Sequence, residues 1–209
     1  MMTDSPGQGH ADVGADDTTS VTVAFLGSAS PALRRHPLNT LAALLAPRKP
    51  QDPDAYVHCE LLFPDNGEAL SIVHNGTVQL APKNFTRSGW TYRSVPCTRQ
   101  QLSTMRSFAH AAVGDGFNTT GYWSPCGIGT KPLGHSMTDP SNRAGLRRRW
   151  YCSELTSECL ASCGLVQELG LPRAVHLHPH ALWQSLVDSD ATSASAPSHK
   201  LDLIDVSIQ

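Results

Sequence analysis

A cysteine at the start of a predicted helix is the residue in this sequence best placed for covalent chemistry. The segment from Trp150 to Gly164 is typical of a short helix, because its apolar residues recur at helical spacing and Gly164 stands where such a helix would end. The apolar face comprises Leu155, Cys159, Leu160 and Cys163. Cys152 falls in the first turn, where free N–H groups and the helix dipole favour a negative charge. That position lowers the pKa of a thiol, favours the nucleophilic thiolate and offers donors for an oxyanion.

A thiol nucleophile needs a base, and a histidine on a predicted strand is the candidate. Residues 55–63 alternate as a strand does, with one apolar face and one face that carries His58 and Glu60. An imidazole can take the proton of a thiol and later return it to a leaving group. We therefore interpret His58 as the general base for Cys152.

A third polar group normally fixes the tautomer and orientation of such an imidazole. The Asn-Gly pair at 66–67 is a strong hairpin signal, so residues 69–75 are predicted to return as the next strand. A two-residue turn places His74 within one residue of the position opposite His58. We expect His74 to orient His58, with Glu60, two residues along the same strand face, as the alternative.

Two short motifs resemble those of a known family. The run Tyr-Cys-Ser-Glu-Leu at 151–155 is similar to the nucleophile motif of the circularly permuted papain-like hydrolases, and the strand at 58–63 with its hairpin resembles their histidine strand. This group includes the YiiX-like proteins, the lecithin retinol acyltransferase group and their viral relatives, within the NlpC/P60 superfamily. In them, as in this chain, the histidine strand precedes the cysteine helix. Phe117-Asn118 and a predicted helix at 179–186 also look like family features.

The resemblance implies an α+β, permuted papain-like fold, in which an antiparallel sheet carrying His58 and His74 packs against the helix of Cys152. It also implies a cysteine hydrolase or acyltransferase that cleaves an amide or ester bond in a peptide, isopeptide or lipid acyl substrate. We expect no cofactor for this chemistry, because the thiol–imidazole pair supplies both the nucleophile and the proton transfer.

Other interpretations stay open at the level of the residues. The cysteines of the predicted helix could share one face as zinc ligands, although only Cys159 and Cys163 come close to the spacing of a zinc knuckle. A second metal candidate is the group His176, His178 and His180. Because Pro179 interrupts a strand there, surface histidines are favoured. A zinc- or disulfide-stapled structural protein is thus one alternative, and a non-catalytic binding module on the same fold is another.

The length of 209 residues suits one domain with a full core. We expect a disordered tail at 1–20, the hydrolase domain at 21–187, and a flexible tail at 188–209 with a short strand at 201–208. The elements predicted within the domain are strands at 21–26, 55–63, 69–75 and 77–80, helices at 38–46, 99–113, 152–163 and 179–186, and loops at 31–37 and 118–149.

Charge and hydropathy exclude several function classes. A formal net charge of -2 gives no electrostatic case for binding nucleic acid or an anionic membrane. The basic run at 147–149 is too short to change that expectation. No apolar run is long enough for a transmembrane segment, and the N-terminal residues do not resemble a signal peptide. We therefore expect a cytoplasmic protein with free thiols, in a host cell or virion if the chain is viral.

Overall fold

The computed structural model describes residues 18–34, 37–49, 52, 54–83, 85, 89–119, 149–171 and 177–193. The main sheet comprises β1 (Thr18–Gly27), β2 (Tyr56–Leu62), β3 (Glu68–Ser71), β4 (Gln79–Pro82) and β5 (Trp90–Thr98). Its strands are ordered β4-β3-β2-β1-β5, and every neighbouring pair is antiparallel. The two long strands β1 and β2 therefore lie in the interior of the sheet.

Helices cover one face of this sheet. The described helices are α1 (Pro31–Arg34), α2 (Pro37–Leu44), α3 (Arg99–Ala112), α4 (Cys152–Ala161), α5 (Leu165–Glu168) and α6 (Pro179–Ser193). Two short parallel strands, β6 (Gly116–Phe117) and β7 (Arg149–Trp150), lead into α4. Both α4 and α6 pack against β2. The described residues therefore form an α+β fold with an antiparallel sheet, and none of the described helices has the length and apolar character needed to cross a bilayer.

The helix of Cys152 lies at the centre of the core. Eight of the ten residues of α4 are buried, including polar ones, so the helix is enclosed on nearly all sides. Every second residue of β1 and β2 is buried on the face of the sheet that packs against this helix. In the strand register, Phe25 lies opposite Cys59, and Val23 lies opposite Leu61. This packing confirms the predicted helix and its buried Leu155, Cys159 and Leu160, but the helix ends at Ala161, so Cys163 lies beyond it and is half-buried.

The predicted capping box at the start of α3 is confirmed. The Thr98 side chain accepts a hydrogen bond from the Gln101 N–H, and the Gln101 side chain accepts one from the Thr98 N–H. On the same helix, Arg106 forms ion pairs with Asp65 and Glu68. Its guanidinium group is also 4.7 Å from the ring centre of Phe63. Thus α3 is fixed both at its start and to the hairpin between β2 and β3.

The ends of several elements differ from the predictions. β1 begins at Thr18, inside the expected tail at 1–20, because Thr18–Ser20 continue the ladder with β5. α6 extends to Ser193, beyond the expected domain end at 187 and into the expected tail. α1 replaces part of the loop expected at 31–37. Most of the loop at 118–149 and the strand at 201–208 lie outside the described residues.

The hairpin after β2 is longer than the two-residue turn predicted for it. The N–H of Phe63 donates to the carbonyl of Glu68, so four residues, 64–67, form the loop. Leu61 therefore pairs with Leu70, two positions from the predicted register. β3 confirms a returning strand after the hairpin, but it ends at Ser71, so the prediction that this strand continues to residue 75 and carries His74 is wrong.

Candidate active site

The open edge of β2 organises the candidate site. β3 pairs with β2 at Leu61 and Leu62, so no described strand covers the first part of β2 on that side. The N–H of Phe63 points towards β3, and alternation along the strand directs the N–H of Cys59 to the same side. A buried edge of this kind presents main-chain donors that other elements must satisfy.

The starts of α4 and α6 supply the acceptors. The N–H of Tyr56 donates to Nδ1 of His180 over 3.3 Å. Cys152, which is only 4% exposed, begins α4 beside Cys59, and accepts a hydrogen bond from the main-chain N–H of Cys59. One cysteine and one histidine thus close the edge that β3 leaves open.

Cys152 and His58 each favour the charged form of the other. The neighbouring Cys59 thiol, followed by His58, holds the pKa of Cys152 well below its usual value, although burial opposes this. Burial also disfavours a charged His58, but its hydrogen bonds to Cys152 and Glu60 raise its pKa to about 9. Both shifts favour the thiolate of Cys152 and the imidazolium of His58.

Glu60 orients the imidazole. Its Oε1 is 2.9 Å from Nε2 of His58, and the carboxylate is almost fully buried. Lys83 binds the same oxygen. Burial raises the pKa of Glu60, but the hydrogen bonds and charges of His58 and Lys83 outweigh it and lower the pKa overall. Because Nε2 of His58 is engaged by Glu60, Nδ1 is the ring nitrogen left for Cys152.

His74, the expected orienting residue, occupies a different place. It lies exposed in the turn that follows β3, and its ring packs edge-on against Phe117 with 5.0 Å between ring centres. The early end of β3 at Ser71 removes it from the strand register with His58. The structure thus brings together Cys152, His58 and Glu60, the second choice for the third group.

Glu154, in the family-like motif, holds the start of α4. Its Oε2 accepts hydrogen bonds from the N–H of Tyr151 over 3.3 Å and from the Asn118 amide over 3.4 Å. The main-chain N–H of Asn118 in turn donates to the carbonyl of Trp150. Burial is the main cause that raises the pKa of Glu154 to about 7. Glu154 thus fixes the turn that carries Cys152. The sequence motif at 151–155 did not by itself indicate this role.

An aromatic and cationic wall borders His58. The Trp90 ring meets the His58 ring edge-on at 6.1 Å, and Phe85 packs against Trp90 at 4.9 Å. The Lys83 ammonium lies over both aromatic rings, at 5.8 Å and 5.7 Å from their centres. Sequence patterns missed this wall because β5, which begins at Trp90, lacks a clear alternation of apolar residues.

The histidines near α6 have structural partners. Nε2 of His180 is 2.8 Å from Oδ2 of Asp52, and its ring stacks on Trp183. Nδ1 of His178 accepts the N–H of His180 over 3.1 Å. Burial lowers the pKa of His178 to about 4, so its ring is neutral at physiological pH. His176 lies outside the described residues.

The cysteines also have separate environments. The thiol of Cys159 donates to the carbonyl of Met105, and that of Cys163 to the carbonyl of Leu160. The described cysteines, Cys59, Cys97, Cys152, Cys159 and Cys163, are free thiols. Within the described ranges, no three histidine, cysteine or acidic side chains are grouped so that they could hold a metal ion.

The fold and the site together define the chain as an α+β protein with a buried cysteine–histidine–glutamate cluster. Comparison with known proteins yields no family model, no curated relative and no solved structure that matches this chain. The case for its function therefore depends on the geometry of the cluster.

Proposed function

We propose that the protein is a cysteine hydrolase or acyltransferase that cleaves an amide or ester bond. Cys152 is the nucleophile, His58 the general base and acid, and Glu60 the residue that orients His58. The observation that carries this proposal is the placement of His58 and Cys152: β2 carries His58 with its hydrogen bond to Glu60 and packs against the buried helix that Cys152 begins. A thiolate held in this way is ready to attack a carbonyl carbon.

The geometry supports a two-step reaction. The Cys152 thiolate adds to the carbonyl, and the main-chain N–H of Cys152 at the start of α4 helps to stabilise the oxyanion. The His58 imidazolium then gives its proton to the leaving amine or alcohol, which yields a thioester on Cys152. Neutral His58 next takes a proton from water or an acceptor, which attacks the thioester and restores the thiolate. Glu60 favours each state in which His58 is charged.

The order of the elements supports a permuted papain-like arrangement. The strand that carries His58 precedes the helix that begins with Cys152, and the helix packs against that strand. This is the order that the resemblance to the permuted papain-like hydrolases implies. The acyl substrate classes that it suggests are a peptide, an isopeptide and a lipid ester.

Labelling with a thiol-directed acyl probe tests the proposal. We expect wild-type protein to be acylated on a single residue. Cys152→Ser and His58→Ala should each lose more than about 90% of the labelling rate, because removing the nucleophile or the general base of other enzymes has effects at least this large. Cys97→Ser is the matched control, since Cys97 is a buried free thiol outside the cluster, and it should label normally. Circular dichroism of each variant checks that the fold is retained.

The outcomes separate a hydrolase from a binding module. Labelling that survives intact in folded Cys152→Ser would refute the nucleophile assignment. If Cys152 reacts with a simple alkylating agent at pH 6 but forms no thioester with any ester or amide probe, the cluster has no acyl-transfer activity. The protein would then be a binding module that retains a reactive thiol.

A further inference from the structure

A second thiol, which the proposed mechanism does not use, lies against the nucleophile. Cys59 follows His58 in β2, but its side chain points to the helical face of the sheet and is 1% exposed. Its sulfur is 3.7 Å from Oγ1 of Thr156, which lies one helical turn beyond Cys152 on α4. Residues four apart lie on the same face of a helix, so Cys152 lies on the face of α4 that meets Cys59 through Thr156.

We propose that Cys152 and Cys59 form a hydroperoxide-sensitive dithiol, an oxidative modification site that converts the nucleophile into a disulfide. The packing of α4 on β2 holds the two cysteines next to each other before any oxidation. Disulfide formation therefore requires only a local shift of the two side chains.

The chemistry proceeds in two balanced steps. The Cys152 thiolate attacks one oxygen of a hydroperoxide, the O–O bond breaks, and the leaving hydroxide or alkoxide takes the proton of the His58 imidazolium. The products are a sulfenic acid on Cys152 and water or an alcohol. The Cys59 sulfur then attacks the sulfenic sulfur, and the Cys59 proton leaves with the hydroxyl as a second water. Two thiols are oxidised to one disulfide, and one hydroperoxide is reduced.

The other described cysteines are less suited to this reaction. Burial raises the pKa of Cys97 to about 11 and also raises those of Cys159 and Cys163, which favours the protonated thiol in all three. A thiol that stays protonated reacts slowly with a hydroperoxide. The first oxidation should therefore occur at Cys152, and the thiol that resolves it should be the one in contact.

The inference uses the thiolate of the proposed function but does not depend on acyl transfer. The test treats reduced, full-length protein with one equivalent of hydrogen peroxide at pH 7, in the absence of an acyl substrate. Free thiols are then counted in denaturant, and the disulfide is located by mass spectrometry of peptides. We expect the loss of two thiols, a Cys59–Cys152 linkage, and full recovery of both thiols with a dithiol reductant.

Variants make the test specific. In the Cys59→Ser variant, Cys152 should be oxidised to a sulfenic acid or a higher oxide and should form no disulfide. The Cys152→Ser variant should lose the rapid reaction with peroxide. Cys97→Ser should behave as wild type. A disulfide from Cys152 to any cysteine other than Cys59, or accumulation of oxygenated Cys152 in wild type, would overturn the inference. The peptide map of the oxidised wild-type protein shows whether Cys152 is linked to Cys59, even if the Cys59→Ser variant does not fold.

The two proposals fail in different ways. Protein that forms the Cys59–Cys152 disulfide but is never acylated refutes the proposed function and leaves the dithiol in place. Protein that is acylated on Cys152 but forms no such disulfide refutes the dithiol alone. In the oxidised protein, acyl labelling should fall in proportion to the disulfide formed and return on reduction.

Discussion

Replacing Glu60 by glutamine should lower the pKa of His58 by about one unit. A pKa of about 9 in place of the ordinary 6.5 corresponds to roughly 3 kcal/mol in favour of the imidazolium. Cys152 supplies the larger share of this stabilisation and Glu60 the next. Because Lys83 binds the same carboxylate oxygen and offsets part of its charge, we assign about 1 kcal/mol to Glu60. Glutamine keeps the hydrogen-bond acceptor for Nε2 but removes that charge.

Nuclear magnetic resonance of histidine-labelled protein measures this change directly. The ring signals of His58 are assigned by comparison with the His58→Ala variant. They should titrate near pH 9 in wild type and at about pH 8 in Glu60→Gln, which is a roughly tenfold change in the acid dissociation constant. The matched control is Glu68→Gln, whose carboxylate pairs with Arg106 and does not contact His58. An unchanged His58 titration in Glu60→Gln, or a wild-type value near 6.5, would refute the ion-pair reasoning.

Three further predictions follow from contacts described above. His74→Ala should change the rate of acyl labelling by less than about twofold, because Glu60 occupies the orienting position; a loss as large as that of His58→Ala would restore His74 to the site. Arg106→Ala should lower the free energy of unfolding in urea by about 1–2 kcal/mol, whereas Lys49→Ala, which removes an exposed ion pair, should have almost no effect; equal losses would contradict this. The pKa of Glu154 is raised from 4.5 in the unfolded chain to about 7 in the folded protein. Its protonated form therefore contributes stability that is complete below pH 4.5 and is lost as the pH rises through about 7. Glu154→Gln should remove that dependence, so its stability relative to wild type should increase between pH 5 and pH 8 by roughly 2–3 kcal/mol; a constant difference in urea unfolding would contradict the assignment.

Local patterns in the sequence were enough to find the two central residues. Helical spacing with a cysteine in the first turn predicted α4, and strand alternation around His58 predicted β2. The capping box before α3 needed only residues three apart. Each of these signals depends on neighbours within one turn or one strand. They can therefore be interpreted without knowledge of the tertiary contacts.

The identity of the third group required long-range information. Whether His74 or Glu60 meets His58 depends on the length of the loop at 64–67 and on where β3 ends. His74 lies off the strand because β3 ends at Ser71, and the four-residue loop also moves the pairing by two residues, although both loop lengths fit the Asn-Gly signal. Similarly, Pro96 and several exposed polar residues hid the edge strand β5, and with it the position of Trp90 beside His58.

The open edge of β2 also has a consequence for the growing polypeptide on the ribosome. The groups that close this edge, Cys152 and His180, are translated long after β2 itself. Until they emerge, the N–H groups of Tyr56 and Cys59 have no native acceptor, and an unprotected strand edge can pair with another chain. Nascent chains that stop before α4 should therefore self-associate, and a chaperone that shields strand edges should be needed most during this interval.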